Sequence, residues 1–349
     1  MQKNRQIVHL NFAKGYRGGE RQTQLLIEEL SHRGYQQKIF TRKKSELALR
    51  LNSIKNLEII SISKPYIFHI NEIQNTKLIH AHETKAAQVA YLIHLLYKLP
   101  YLITRRVNNP ISNNFFNKKI YTKSTYTIVL SNAIKNTTLN LSNNINIKII
   151  PSAYTQLTTH QEKIENIKQR FENNFLIGNI GELDNDDKGQ YYLIEAMKKL
   201  QIEYPNIHLI LLGQGKDEEN YKKQAKGLKN ITFEGFVNNV GDYISCLDLF
   251  VFPSLNEGLG SILLDIIQAK VSIIASNVGG IPDIIKHKHT GILIEAKDSD
   301  AIYNEIVKLY HNQTLRENLA REAFKTIEEY SINSMTNQYE KLYRSVDNA

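Results

Sequence analysis

The chain has 349 residues, 42% of them apolar, and a net charge of +9; that length exceeds one ordinary core and fits two α/β domains. No stretch reaches the roughly 18 to 20 uncharged apolar residues of a spanning helix, because the most apolar one, 91–103, is broken by Lys98 and Pro100, and a single cysteine, Cys246, excludes an internal disulfide framework and a multi-cysteine metal site. The charge is divided: residues 1–150 hold 23 Lys and Arg against 7 Asp and Glu, net +16, and the remainder 21 against 28, net −7.

From the start, short β-rich runs alternate with helical patterns, the signature of a parallel α/β sheet. Residues 6–12 predict a first strand, not a signal peptide, since no small-residue cleavage site follows. A helix follows over 20–33, burying Leu25, Leu26 and Leu30, with Gly34 at its left-handed cap. Further strands are expected over 37–40, 57–62, 78–82, 101–105, 126–131 and 147–150. After Pro151 the pattern lapses into a polar stretch with a charged helix over 163–171. It restarts with strands over 175–180, 207–212, 231–234, 249–253, 272–276 and 291–294. Two consecutive open sheets are expected, with domains over 1–155 and 173–333, a linker helix over 156–172 and a last helix over 334–349. Cys246 reads as a buried core thiol in a reducing compartment.

Ligands of such sheets bind outside the carboxyl ends of the strands. The first strand ends in Gly15-Tyr16-Arg17-Gly18-Gly19-Glu20, where two glycines let backbone approach a ligand and a helix start offers free N–H groups. This is neither a P-loop nor a full GxGxxG fingerprint. In the second half, Gly178-Asn179-Ile180-Gly181-Glu182-Leu183 leads to Asp186-Asp187-Lys188-Gly189, whose lysine can neutralise a diphosphate at a helix start. Leu212-Gly213-Gln214-Gly215 makes a glycine turn. Pro253-Ser254-Leu255-Asn256-Glu257-Gly258-Leu259-Gly260 opens a helix that carries Asp265 two turns along, and Ser276-Asn277-Val278-Gly279-Gly280-Ile281-Pro282-Asp283 follows the next strand. Taken singly, Glu257 and Asp265 also fit a helix-start charge and a solvated face.

In this order the segments resemble retaining glycosyltransferase family 4, of the GT-B fold: two Rossmann-like, doubly wound parallel-sheet domains facing a cleft, with the C-terminal helix packing back on the N-terminal domain. The resemblance spans nearly the whole chain and is strongest over 178–295. The family's acidic EGxGxxxxE frame appears as Glu257-Gly258-Leu259-Gly260-Ser261-Ile262-Leu263-Leu264-Asp265, with FPS before it and VGGIP after it. It implies a hexose-type transferase with an N-terminal acceptor domain and a C-terminal donor domain, taking a nucleotide-diphosphate sugar, UDP favoured, and needing no metal or other cofactor. Gly18 and Gly19 would line the donor phosphates. Lys188 would bind the diphosphate, and Glu257 would hold the transferred sugar. Asp265 would meet the ribose, and Leu259, Gly260 and Ser261 would contact phosphate. Gly213 belongs to the same donor set, and the base would rest near Gly235, Phe236 and Val237. Lys188, Glu257 and His82 are the catalytic candidates, and Arg17, Glu20, Arg21, His82, Arg105 and Arg106 the acceptor candidates.

The chain departs from the family pattern. The arginine six residues before the lysine is Glu182, so Arg17 or Arg21 is a candidate replacement. The second glutamate of the acidic frame is Asp265, Arg105 and Arg106 replace a histidine, and the usual IPNG turn is Ile150-Pro151-Ser152-Ala153. His80 and His82 end a strand two residues apart, so a zinc pair is conceivable, but no third ligand is evident nearby. Asp184-Asn185-Asp186 has the look of a DxD metal motif but lies in a loop where this family uses the lysine. The basic half calls for an anionic partner, a glycolipid or lipopolysaccharide-type acceptor at an acidic membrane surface on the cytoplasmic side. Nucleic acid is not expected, as no helix-turn-helix, zinc-finger or RNP pattern accompanies the charge. A nucleotide-sugar epimerase and a binding subunit without turnover stay open beside the transferase.

Overall fold

The computed structural model describes residues 6–72 and 76–347 and divides into two compact units, Met1–Ala153 with Glu329–Ala349, and Tyr154–Glu328. Residues 1–5 and 348–349, the ends of the expected first domain and last helix, lie outside the described residues. Among the described residues no helix is long and apolar enough to cross a membrane.

The first unit is a seven-stranded parallel sheet of β1 (Ile7–Asn11), β2 (Gln37–Arg42), β3 (Leu57–Ile62), β4 (Leu78–Ala81), β5 (Tyr101–Arg105), β6 (Tyr126–Val129) and β7 (Ile147–Ile149), in the order β3-β2-β1-β4-β5-β6-β7. Every residue of β1, β4 and β5 is buried, because helices cover both faces of the central strands. The helix Gly18–His32 returns the chain from β1 and ends as expected: Gly34 takes φ +82° and the Tyr35 N–H closes on the Leu30 carbonyl.

The C-terminal helix Ile332–Asp347 belongs to this unit. Its Met335, Tyr339 and Tyr343 pack with Leu26, Leu30, Leu78, Leu102 and Ile128. Arg33 ties it down with a 2.8 Å ion pair to Glu340 and hydrogen bonds to Asn333 and Asn337.

The second unit is a six-stranded parallel sheet of β8 (Phe175–Ile180), β9 (Ile207–Leu212), β10 (Ile231–Gly235), β11 (Leu249–Phe252), β12 (Ser272–Ser276) and β13 (Ile292–Ile294), in the order β10-β9-β8-β11-β12-β13. The charged helix after Pro151 runs Gln161–Arg170 and belongs to this unit. Cys246 is buried, its thiol directed at the Asp242 carbonyl. Strand order reverses direction between β1 and β4 in the first sheet and between β8 and β11 in the second. At such a point neighbouring loops diverge and leave a crevice at the carboxyl ends of the strands. The residues after β1, β4, β8 and β11 are therefore the best placed to meet a ligand.

Phe40 on β2 is fully buried in the core cluster of the first unit. Its replacement by alanine should cost roughly 3–5 kcal/mol, measured by denaturant unfolding, and the effect should be far smaller for Phe236→Ala, whose ring is 69% exposed.

Candidate functional site

In the second unit, Lys188 sits on the loop after β8, just before the helix Gln190–Glu203, and Glu257 on the loop after β11. Their side chains meet: Lys188 Nζ pairs with Glu257 Oε1, which also accepts from Ser254 Oγ at 3.2 Å. The two loops are sewn together by main chain, with the Leu255 N–H donating to the Asp187 carbonyl at 2.7 Å and the Asn256 N–H to the same oxygen at 3.2 Å. Gly189, at φ +64°, is needed there, because a Cβ would collide with the Pro253 carbonyl. The Lys188–Glu257 pair is thus built by backbone contacts between two loops that the strand order makes adjacent. Glu182, six residues before Lys188, is partly buried, and its carbonyl accepts from Gln190 Nε2 at 3.0 Å.

Gly213 and Gly235 end β9 and β10 side by side, joined by a 2.7 Å hydrogen bond from the Gly213 N–H to the Gly235 carbonyl. Phe236 follows with its ring largely exposed, and Val237 is partly buried. Such a ring offers a face to a planar base. Leu259 and Gly260 are buried, with Gly260 at φ +82°, and Ser261 stands at the N-cap position of the helix Ile262–Gln268. Asp265 lies in the first turn of that helix, not two turns along, because Gly260 at φ +82° breaks the chain just before Ser261. It is not on a solvated face either: it is buried, and Oδ1 accepts the Thr155 N–H at 2.6 Å. Asp184 and Asp186 both pair with Lys216.

In the first unit, the helix Gly18–His32 begins at the expected glycines. Arg17 is its exposed N-cap, and the Arg17 N–H donates to Glu20 Oε2 at 3.0 Å, so Glu20 serves as the capping carboxylate. Gly18 is open, Gly19 lies against Arg106, and Arg21 is partly buried. Arg105, at the end of β5, is buried and donates to the Asn109 carbonyl.

The expectation that His80 and His82 lack a third partner is corrected here. His9 on β1 stands in register with His80 on β4, and strand alternation puts His82 on the same face. The three imidazoles are buried, with nitrogens within 4.8 Å of one another. Their partners are specific. His9 Nε2 faces Gln37 Oε1 at 3.1 Å, His9 Nδ1 faces His82 Nε2 at 2.9 Å, and His80 reaches Thr104 Oγ1 at 2.7 Å and Tyr343 OH at 2.8 Å. His82 has its remaining nitrogen, Nδ1, 3.4 Å from Arg106 Nη2. A hydrogen-bond relay against a guanidinium is a poor place for a cation. Burial lowers all three pKa values, that of His9 to about 4, with His80 and His82 also depressed by charge on their neighbours.

These two unit folds are the GT-B class. Residues 160–326 match the family model described as Glycosyl transferases group 1, a segment that includes Lys188, Glu257 and Asp265. Over 178 residues it is 28% identical to the capsular polysaccharide biosynthesis glycosyltransferase CapM of Staphylococcus aureus, covering 49% of this chain and 46% of that protein. Over 158 residues it is 28% identical to the N-acetyl-alpha-D-glucosaminyl L-malate synthase of Bacillus anthracis, covering 44% of this chain and 41% of that one. The matched segment is less than half the length of either relative. The fold of the whole chain is similar to that of HepE from Anabaena, solved in complex with UDP and glucose: TM-score 0.85, 17% identity, 98% of this chain and 100% of that one.

The buried histidines set a pH dependence. The folded chain binds fewer protons than the unfolded one between about pH 4, for His9, and the ordinary histidine value near 6.5. Stability should therefore be complete above that window and fall as pH drops through it, by up to about 1.4 kcal/mol per pH unit for each histidine involved. Thermal melts from pH 7.5 to 4 check this, and His9→Gln should flatten the slope.

Proposed function

We propose that this protein is a retaining glycosyltransferase that moves a hexose-type sugar from a UDP-sugar to a hydroxyl of an anionic glycolipid or lipopolysaccharide-type acceptor, without a metal. The observation that carries the reading is the Lys188–Glu257 pair, held between the two loops at the switch point of the second sheet. With donor bound, the ammonium turns to the diphosphate and the carboxylate to the sugar. The bond between C1 and the phosphate oxygen breaks, its electron pair leaving with UDP. Lys188 and the start of the helix Gln190–Glu203 stabilise that charge. Glu257 complements the positive charge developing on the ring. The acceptor oxygen bonds to C1 on the face UDP vacates, and its proton passes to the departing phosphate, so configuration is retained. Asp265 meets the ribose, and Phe236 packs the base.

An acidic membrane surface supplies the acceptor. The 3-10 helix Tyr66–Glu72 and the helices Thr84–Tyr97 and Phe115–Lys123 pack together, linked by Tyr97 OH to Asn71 at 2.7 Å and by Tyr91 edge-on to Phe116. They expose Phe68, Leu96 and Phe115 at 78%, 65% and 76%. Residues 64–123 hold nine Lys and Arg against two Asp and Glu, and Lys119 lies over the Phe115 ring. Exposed apolar side chains on a cation-rich segment fit an anionic bilayer.

A product screen over UDP-, GDP- and ADP-sugars tests the activity. Glu257→Gln and Lys188→Ala should each lower turnover by about 10²- to 10³-fold, with Lys188→Ala also weakening UDP binding. A UDP-sugar whose stereochemistry changed with no acceptor present would replace transfer by epimerisation. Sedimentation with phosphatidylglycerol vesicles should show binding that weakens with salt and drops at least fivefold in a Phe68→Ser, Phe115→Ser double variant.

A further inference from the structure

The first unit holds a cation that the chain leaves unbalanced. Arg106 follows β5 directly and is only partly exposed, and its Nε is buried with no hydrogen-bond partner. Its Nη2 makes two long contacts, 3.4 Å to Thr23 Oγ1 and 3.4 Å to His82 Nδ1. Among the described residues no carboxylate is hydrogen-bonded to it. Glu20, close enough to act on it electrostatically, is engaged in capping its own helix. Burial pulls the guanidinium below its ordinary pKa, yet an arginine stays charged. An unpaired charge removed from water costs several kcal/mol unless an anion answers it.

Arg106 is also aimed. The carbonyl of Ile27 can only accept, so Gln37 must present Nε2 to it at 2.9 Å and Oε1 to His9. His9 therefore carries its proton on Nε2, and Nδ1 is the lone pair that accepts from His82 Nε2–H. That leaves His82 Nδ1 as a lone pair directed at the guanidinium. A chain of neutral groups 28 and 73 residues apart in sequence thus fixes one tautomer and turns it toward Arg106. On the other side Gly19 gives room: a Cβ there would lie 3.2 Å from Arg106 Cδ.

We propose that Arg106 binds an oxyanion carried on the acceptor sugar, a carboxylate or a phosphate, beside the Gly18-Gly19 helix start, and that His82 and His9 are positioning residues that orient the guanidinium. The assignment of that sugar as acceptor rests on the transfer reading above; the anion site itself does not. A guanidinium presents paired N–H donors that match either oxyanion.

Calorimetric titration of the full chain with glucuronate, glucose 6-phosphate and glucose tests it, with UDP titrated in parallel. One of the two anionic sugars should bind at least tenfold more tightly than glucose, and which one does so separates carboxylate from phosphate. Arg106→Gln should abolish that preference, Arg106→Lys should keep part of it, and Lys188→Ala should leave it unchanged. His82→Phe should weaken it five- to tenfold at unchanged UDP affinity, whereas His82→Asn, which keeps an acceptor near Nδ1, should restore most of it. If Arg106→Gln does not fold, hydrogen exchange on the wild type decides: the anionic sugar should protect amides 18–23 and 105–108. Equal affinity for glucose and both anionic sugars, an unchanged preference in Arg106→Gln, or no protection of those amides overturns the proposal. Wild-type protein that binds an anionic sugar but not UDP would instead overturn the transfer reading.

Discussion

A parallel sheet covered on both faces has one economical outlet for polar chemistry, the carboxyl ends of its strands, and both units obey that constraint. The strand order reverses between β1 and β4 and between β8 and β11, and the polar groups gather on the loops that follow those four strands. Lys188 and Glu257 meet because β8 and β11 are neighbours, although 69 residues separate them in sequence. The same rule brings Gly19 beside Arg106, which follows β5, the next strand out. Backbone contacts then do the finer placement, as with the two N–H groups that converge on the Asp187 carbonyl.

His9 and His80 break the rule, since they lie inside strands whose other positions are apolar apart from Asn11 at the end of β1. They are tolerable there because each ring nitrogen has a partner and because burial keeps the rings neutral. The C-terminal helix completes this arrangement: Tyr343 bonds His80, and Tyr339 reaches Thr104 at 3.2 Å. A helix that returns from the end of the chain is thereby made part of the polar interior of the first sheet as well as of its apolar core.

All thirteen strands were legible in the sequence, because parallel strands are dense apolar runs bounded by glycine, proline and polar turns. The Lys188 and Glu257 loops were legible for a related reason, since each follows such a run and carries glycines that a close approach demands. What period and composition could not show was register. His9 is one histidine in a five-residue strand, and only the pairing of β1 with β4 makes it a neighbour of His80. Ser254, which bonds Glu257, was visible only as part of a motif. Asp265 was misplaced by a turn because the segment from Gly258 to Gly260 has helical neighbours on one side and no breaker other than its glycines.

The two units handle charge in opposite ways, and this difference bears on how each would meet a ligand. In the second unit the key cation is already matched, Lys188 by Glu257, so an incoming diphosphate must replace an existing partner and gains only the difference. On the proposed reading, part of what it gains would be the release of Glu257 toward a developing positive charge. In the first unit Arg106 has, among the described residues, no hydrogen-bonded carboxylate, and it lies 3.4 Å from the His82 imidazole, whose pKa burial lowers. An anion arriving there would compete with no hydrogen-bonded carboxylate among the described residues and would offset the cost of burying the charge. A matched pair suits a group whose charge changes during a reaction, and an unmatched, rigidly held cation suits recognition of a charge that stays constant. On the readings proposed above, bond breaking would fall to the second unit and discrimination of a charged substrate from its neutral analogues to the first.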